Sequence, residues 1–181
     1  VPLMAVGVGV VVLAAVVVVV LTTVQIGPCQ PAAWLAAYDA LYQVTDARHL
    51  AKALVWAATS PAAADRPFNV TNGDFFRWQN VWPRLAAFFG LEPGPVAPHL
   101  LAETMPPLAP CWDDLVRRHG LQPHPMATLV QWPFADYVFG CDYDVMTSTT
   151  RLRQAGFHDV VDSEDMLLEI LGEFRARRIV P

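Results

Sequence analysis

Among the side chains of this 181-residue chain that could do nucleophilic, metal or proton-transfer chemistry are five histidines, three cysteines and a single lysine, Lys52. Their spacing assembles no familiar constellation. There is no Gly-x-Ser-x-Gly elbow and no His-Glu-x-x-His helix. Cys29, Cys111 and Cys141 are far apart, odd in number and without a Cys-x-x-Cys pair, so neither a disulfide framework nor a zinc site is implied. Free thiols packed as small hydrophobes in a reducing compartment are expected instead. His49, His119 and His158 read as surface or capping residues, whereas His99 and His124 fall in proline-rich loops from which they could approach a ligand. Asp113 and Asp114 are expected in the first turn of a helix, where negative charge suits the dipole. Gly7-Val8-Gly9 lacks the third small residue of a dinucleotide fingerprint, since position 12 is Val12, and the first acid is as late as Asp39. Asn69-Val70-Thr71 is formally a glycosylation sequon.

The elements that would position such residues begin after a turn-rich link, Gly27-Pro28-Cys29-Gln30-Pro31, which divides an apolar segment, 1–27, from the remainder, 28–181. Leu41 to Val44 reads as a short strand, followed by a helix from Asp46 to Thr59 capped by Thr45, with Leu50, Ala53, Leu54 and Ala57 on its apolar face. Pro67 to Val70 reads as a second strand, Asn72-Gly73 as a turn that tolerates positive φ, and Asp74 as the cap of a helix over 75–89 that Gly90 ends. In that helix Trp78, Trp82, Leu85 and Phe89 recur at 4, 3 and 4 spacing. The proline-dense stretch from Glu92 to Pro110 predicts a wandering surface loop. Helices over 111–119 and 125–139 follow, closed by Gly120 and Gly140. A short strand near Tyr143 to Met146, a capped helix over 148–155 and a last helix capped by Asp162 or Ser163 complete the chain.

Charge is mildly acidic, at a net −5, and the densest basic run is Arg175, Arg177 and Arg178 at a helix end. No nucleic-acid partner is therefore expected. Leu3 to Val24 carries no charge and as a helix would be about 33 Å long, enough to cross a bilayer core. No Lys or Arg precedes Arg48 to set an orientation, and valine dominates a segment where β-branched residues are poor helix formers. Three readings stay open: a buried helix, a membrane anchor, and a mistranslated or frameshifted start.

Pro67 to Gly90, PFNVTNGDFFRWQNVWPRLAAFFG, carries the most information. It resembles the FN-x-x-NGD-x-F-x-W-x-x-x-W segment of the progesterone 5β-reductase and iridoid synthase-like branch of the short-chain dehydrogenase/reductases, which precedes a helix ending in Phe-Gly. Val44-Thr45-Asp46-Ala47-Arg48, Trp56-Ala57-Ala58-Thr59, Trp112 to Gly120, Trp132 to Asp136 and the ending LRQAGF…DSEDMLLEILGEFRARRIVP resemble the same family in the same order. Together these segments cover most of the chain and correspond to the C-terminal half of such an enzyme.

The resemblance implies an α/β chain, the C-terminal part of a Rossmann-type NAD(P)-binding enzyme, with an incomplete parallel sheet and a mainly helical substrate-binding lobe. It implies an NADPH-dependent reductase of small hydrophobic enone or related carbonyl substrates, cytoplasmic unless residues 3–24 anchor it in a membrane, with a homodimer as one arrangement. The family's proton donor is a Tyr assisted by a Lys, and the usual Tyr-x-x-x-Lys is absent, because Arg48 stands four before Lys52. That pair and the cofactor loop are expected upstream, through a truncated gene, a partial assembly or a split gene. The helix holding Trp132-Pro133-Phe134-Ala135-Asp136 matches the family's pocket wall. Phe134 is the leading substrate contact, followed by Trp132, Val138 and Cys141, with plain core packing as the competing role for each. The chain alone is then expected not to be a catalyst. A membrane-anchored, non-enzymatic helical domain that binds a partner or an apolar ligand is the alternative.

Overall fold

The computed structural model describes residues 36–93 and 100–181. The expectations for residues 1–27, including the apolar run 3–24, Gly7-Val8-Gly9 and the link to Pro31, fall outside the described residues, as do Cys29 and His99. Among the described residues the architecture is helical: α1 (Ala47–Thr59), α2 (Trp78–Phe88), α3 (Leu101–Thr104), α4 (Ala109–His119), α5 (Met126–Leu129), α6 (Trp132–Phe139), α7 (Thr150–Gln154) and α8 (Ser163–Ala176). None of them is long and apolar enough to cross a membrane.

The main core is built where apolar residues recur at helical spacing. Trp78, Val81, Trp82 and Leu85 of α2 meet Trp112 and Leu115 of α4, Trp132, Ala135, Val138 and Phe139 of α6, and Met166, Leu167 and Leu171 of α8. Each fully buried Leu or Trp side chain in this set contributes about 1.5–3 kcal/mol of transfer free energy. A smaller cluster of Ala53, Leu152 and Phe157, flanked by Trp56, Phe68 and Val70, fixes α1 against α7.

Helix α1 shows how neighbours choose a face. Its buried side chains are His49 and Ala53 with half-buried Trp56, rather than the expected Leu50, Ala53, Leu54 and Ala57; Leu54 is 62% exposed. The aromatic pair Trp56–Phe157, with centroids 5.6 Å apart, and His49–Phe157 at 5.4 Å pull this face inward. His49 is accordingly buried, against the surface role expected of it, and its Nδ1 has no hydrogen-bond partner. Asp46 and not Thr45 is the N-cap, its carboxylate accepting from the Arg48 N–H at 2.7 Å. Thr45 Oγ1 donates instead to the Val70 carbonyl.

Asp74 does not cap the next helix. Its carboxylate accepts from the Ser163 N–H at 2.8 Å and the Ser163 hydroxyl at 2.6 Å, and α2 begins later than expected, at Trp78. Gly73 adopts φ +101°, a conformation that suits the turn and disfavours any side chain. Residues 100–110 form a short helix and a tight turn at Pro106–Leu108 rather than the expected loop, with Leu101 and Met105 buried. Prolines are tolerated there because the first turn leaves its N–H groups unpaired anyway. The single helix expected over 125–139 is two, broken at Val130 and Gln131, because Pro133 cannot donate to the preceding turn and its ring would strike the carbonyl there. Asp113 and Asp114 lie one turn into α4, since the helix starts at Ala109. There Asp114 pairs with Arg117.

The segments expected as strands lie side by side without a ladder. Tyr42 and Phe76 exchange two backbone hydrogen bonds of 2.8 and 3.1 Å in an isolated antiparallel bridge. The Val145 N–H donates to the Leu41 carbonyl, Asn72 to Val44 and Val161 to Asn72. The order across this layer is 143–147, 41–46, 70–76, then 160–161. Among the described residues there is no strand in the expected sense at Leu41–Val44, Pro67–Val70 or Tyr143–Met146.

Candidate functional site

Helix α6 organises the candidate site. Pro133 sits in its first turn, where a missing N–H costs nothing, and Gly140 closes it. Its inner face places Trp132 and Val138 in the main core, 6% and 1% exposed, while Phe134 is half-buried at the core's margin. Phe134 lies beside Tyr137, with ring centroids 6.2 Å apart, and Tyr137 projects outward. Asp136 faces another way. Its carboxylate accepts from the backbone N–H groups of Leu101 and Ala102 at 2.7 and 2.9 Å, satisfying the orphan donors of α3 and pinning it to α6.

Cys141, just past the end of α6, is buried, and its thiol donates to the Tyr137 carbonyl at 3.4 Å. Three tyrosines, Tyr42, Tyr137 and Tyr143, belong to the segments at this end of the helix. Tyr143 follows two residues after Cys141, and Tyr42 lies on the neighbouring segment, whose Leu41 carbonyl accepts from the Val145 N–H. The Tyr42 ring packs on Phe76 and Trp78, each at 6.0 Å, and Trp78 stacks edge-on against Phe139 at 5.2 Å. Leu41 is tied to Asp144 and Val145, so the backbone beside Tyr42 is fixed to the turn that carries Tyr143. Burial, and then the neighbouring Cys141 thiol and the Tyr137 and Tyr143 phenols, push the Tyr42 phenol up to about 12. It is therefore a neutral hydrogen-bond donor over the whole physiological range. The neighbouring Cys141 thiol, followed by the Tyr137 phenol, raises Tyr143 as well.

Of the four residues expected to contact substrate, α6 and the turn after it hold all of them, in two environments: Trp132 and Val138 are inside the core, Phe134 and Cys141 border the outer aromatic face. The tyrosines were not singled out from sequence. Tyr137 and Tyr143 bracket Cys141 in the sequence, but only the fold brings the segment of Tyr42 beside the turn of Tyr143.

Two open clefts lie elsewhere. One, of about 550 Å³, runs between α1 and the turn after α7, lined by Lys52, Trp56, Phe157 and His158. The other, of about 510 Å³, lies over Gln43, Phe75, Met146 and Arg153. His119 and His158 are exposed, and His124 is exposed with its Nε2 3.0 Å from Gln122 Oε1. Among the described residues no group of His, Cys, Asp or Glu is placed to hold a metal ion.

A nicotinamide dinucleotide finds no fitting cradle among the described residues. A Cβ on Gly73 would meet the Arg153 guanidinium at 2.6 Å, so the space beside that glycine is already filled by protein. Lys52 stands 3.9 Å from Asp159 in a different region from the phenols, so no tyrosine-lysine pair is formed.

No family model matches the chain. Among curated proteins, an (S)-8-oxocitronellyl enol synthase of Camptotheca acuminata is 30% identical over 150 residues, covering 81% of this chain and 38% of the relative. One from Nepeta cataria is 33% identical over 150 residues, covering 80% and 38%, and one from Antirrhinum majus is 29% identical over 147 residues with the same coverage. The chain thus spans about 38% of the length of these relatives. With the ordered motifs, the helical architecture and these matches in hand, the chain belongs to the iridoid synthase-like, progesterone 5β-reductase-like family of short-chain dehydrogenase/reductases.

Proposed function

We propose that this chain is the C-terminal, substrate-binding part of an NAD(P)H-dependent reductase of enone or related carbonyl compounds, and that it does not catalyse alone. The observation that carries this reading is the match of some four-fifths of the chain to relatives named as 8-oxocitronellyl enol synthases. The helical architecture of the described residues agrees with it. NADPH is the cofactor implied at the level of the family; when bound it supplies hydride, and this chain's part is to hold and orient the other reactant.

In this reading Phe134 leads the substrate wall, with Trp132 and Val138 behind it setting its position and Cys141 at the far end. Apolar side chains on a rigid helix select a hydrophobic ligand by shape, and Asp136 keeps the helix in register by clamping α3. The test is to titrate the purified chain with a hydrophobic ketone and, separately, to mix it with NADPH and an enone. Ketone binding that Phe134→Ala weakens, without NADPH consumption, is expected. NADPH consumption by the chain alone overturns the reading.

A further inference from the structure

We propose that the open cleft between the Gly73 turn and residues 146–153 binds a small aromatic carboxylate, with its ring against Phe75 and Met146 and its charge on Arg153. The cleft, of about 510 Å³, falls within the size range of small-molecule sites. None of its lining residues belongs to the Phe134 wall, so the inference goes beyond the reading above and stands independently of it.

Charge selects an anion. Arg153 is the one charged residue lining the cleft among the described residues, and it forms no salt bridge with any of them. Its Nη2 donates to the Gly73 carbonyl at 2.8 Å, which holds the guanidinium in place and leaves its other N–H groups for an incoming acceptor. A carboxylate answers an arginine with charge-assisted hydrogen bonds, and the hydroxyl-bearing residues Thr147 to Thr150 line the same cleft. The aromatic part follows from the other wall. Phe75 and Met146 are 46% and 53% exposed, an aromatic ring and a thioether that both favour contact with a second ring and would leave water on covering it.

The walls are also tied together without a ligand. Gln43 Oε1 accepts from the Thr147 N–H, and its Nε2 donates to the Asp74 carbonyl at 3.5 Å, so one side chain spans the two sides. Asn69 Nδ2 donates to the Ser148 carbonyl at 3.2 Å and pins the segment from behind. Gly73, at φ +101° and without a side chain, lets Arg153 lie against the turn. A site held in this way loses little entropy on binding.

The experiment titrates the full chain, by ligand-observed NMR, with phenylacetate, its neutral amide phenylacetamide, and acetate. Phenylacetate should bind saturably and about tenfold more tightly than either comparator. Arg153→Met should weaken phenylacetate about tenfold, the loss of one hydrogen bond to a charged group, and leave phenylacetamide unchanged. Arg153→Gln, which keeps an N–H donor for the Gly73 carbonyl, should show the same loss, so that a packing defect in the first variant does not decide the outcome. Arg151→Met, which removes a charge outside the cleft, and Phe134→Ala should leave phenylacetate binding as it was. Absence of saturable phenylacetate binding overturns the proposal, as does acetate binding equally well. Equal losses in the Arg151 and Arg153 variants also overturn it, because the anion would then sense only general surface charge. Loss in Phe134→Ala moves the ligand to the wall and overturns the cleft, while the reading of the wall survives.

Discussion

Asn72 offers the sharpest energetic test of the fold that positions α6 and its phenols. Its side chain is fully buried; Oδ1 accepts from the Asp46 N–H at 2.6 Å and Nδ2 donates to Ser163 Oγ at 3.1 Å. One residue thus joins the cap of α1 to the first residue of α8, while its backbone bonds both Val44 and Val161. Asn72→Ala leaves the Asp46 N–H without a partner in a residue only 7% exposed, which costs about 1–3 kcal/mol, and removes a further bond worth about 0.5–1.5 kcal/mol. Ser163 retains its bonds to Asp74, so the total is about 2–4 kcal/mol rather than more. At roughly 2–4 °C per kcal/mol for a chain of this size, Tm should fall by about 5–15 °C. The assay is thermal melting followed by near-ultraviolet circular dichroism, with Ser163→Ala as the milder companion. A fall below about 2 °C would refute the reasoning, since no buried donor would then have been stranded.

Other outcomes follow from the same geometry. Burial raises the Asp46 carboxyl, but the hydrogen bonds and charge of Arg48 and the N–H groups of Arg48 and His49 outweigh it and hold the group below its ordinary value. A depressed folded value gives stability that is present above the unfolded carboxylate range and lost as pH falls through the folded one; Asp46→Asn should flatten the acid limb of a stability-pH curve below about pH 4. Tyr42 behaves oppositely: burial raises its phenol to about 12, so its contribution is present below the unfolded value near 10 and lost as pH climbs from there. Tyr42→Phe should shrink the alkaline loss, and absorbance at alkaline pH should show one late-titrating phenol fewer in the variant than in the unaltered chain. His49→Leu removes a buried nitrogen without a partner, so denaturant melts should show no loss and a gain of about 0–1 kcal/mol. Arg84 joins Glu164 and Asp165 across exposed surface, and Arg84→Met should cost less than about 1 kcal/mol, an effect that fades in high salt.

What was legible in the sequence followed what local chemistry dictates. Trp78, Trp82 and Leu85 at helical spacing are buried, Gly90 and Gly120 adopt positive φ at helix ends, and Asp162 caps α8 with the N–H of Asp165. What escaped it was decided by distant partners. Asp74 is a good helix cap by type, but Ser163, 89 residues away, captures its carboxylate. Asn72 looked like a turn former, and its larger role depends on Asp46 and Ser163 reaching it from elsewhere in the chain. The face of α1 was misjudged because alanines and leucines offered two nearly equal stripes, and the aromatic rings of Trp56, Phe68 and Phe157 decided between them. The helix of the candidate wall was visible through its motif, whereas the placement of residues 41–46 beside 143–147 required the pairing of Leu41 with Val145.

The most direct test of the central claim is a titration of the purified chain with NADPH, followed by intrinsic tryptophan fluorescence, since the chain's six tryptophans include four in the main core around α6. The account predicts no saturable change up to millimolar cofactor, together with a saturable response to a hydrophobic ketone. Saturable NADPH binding would contradict it and place a cofactor site within this chain.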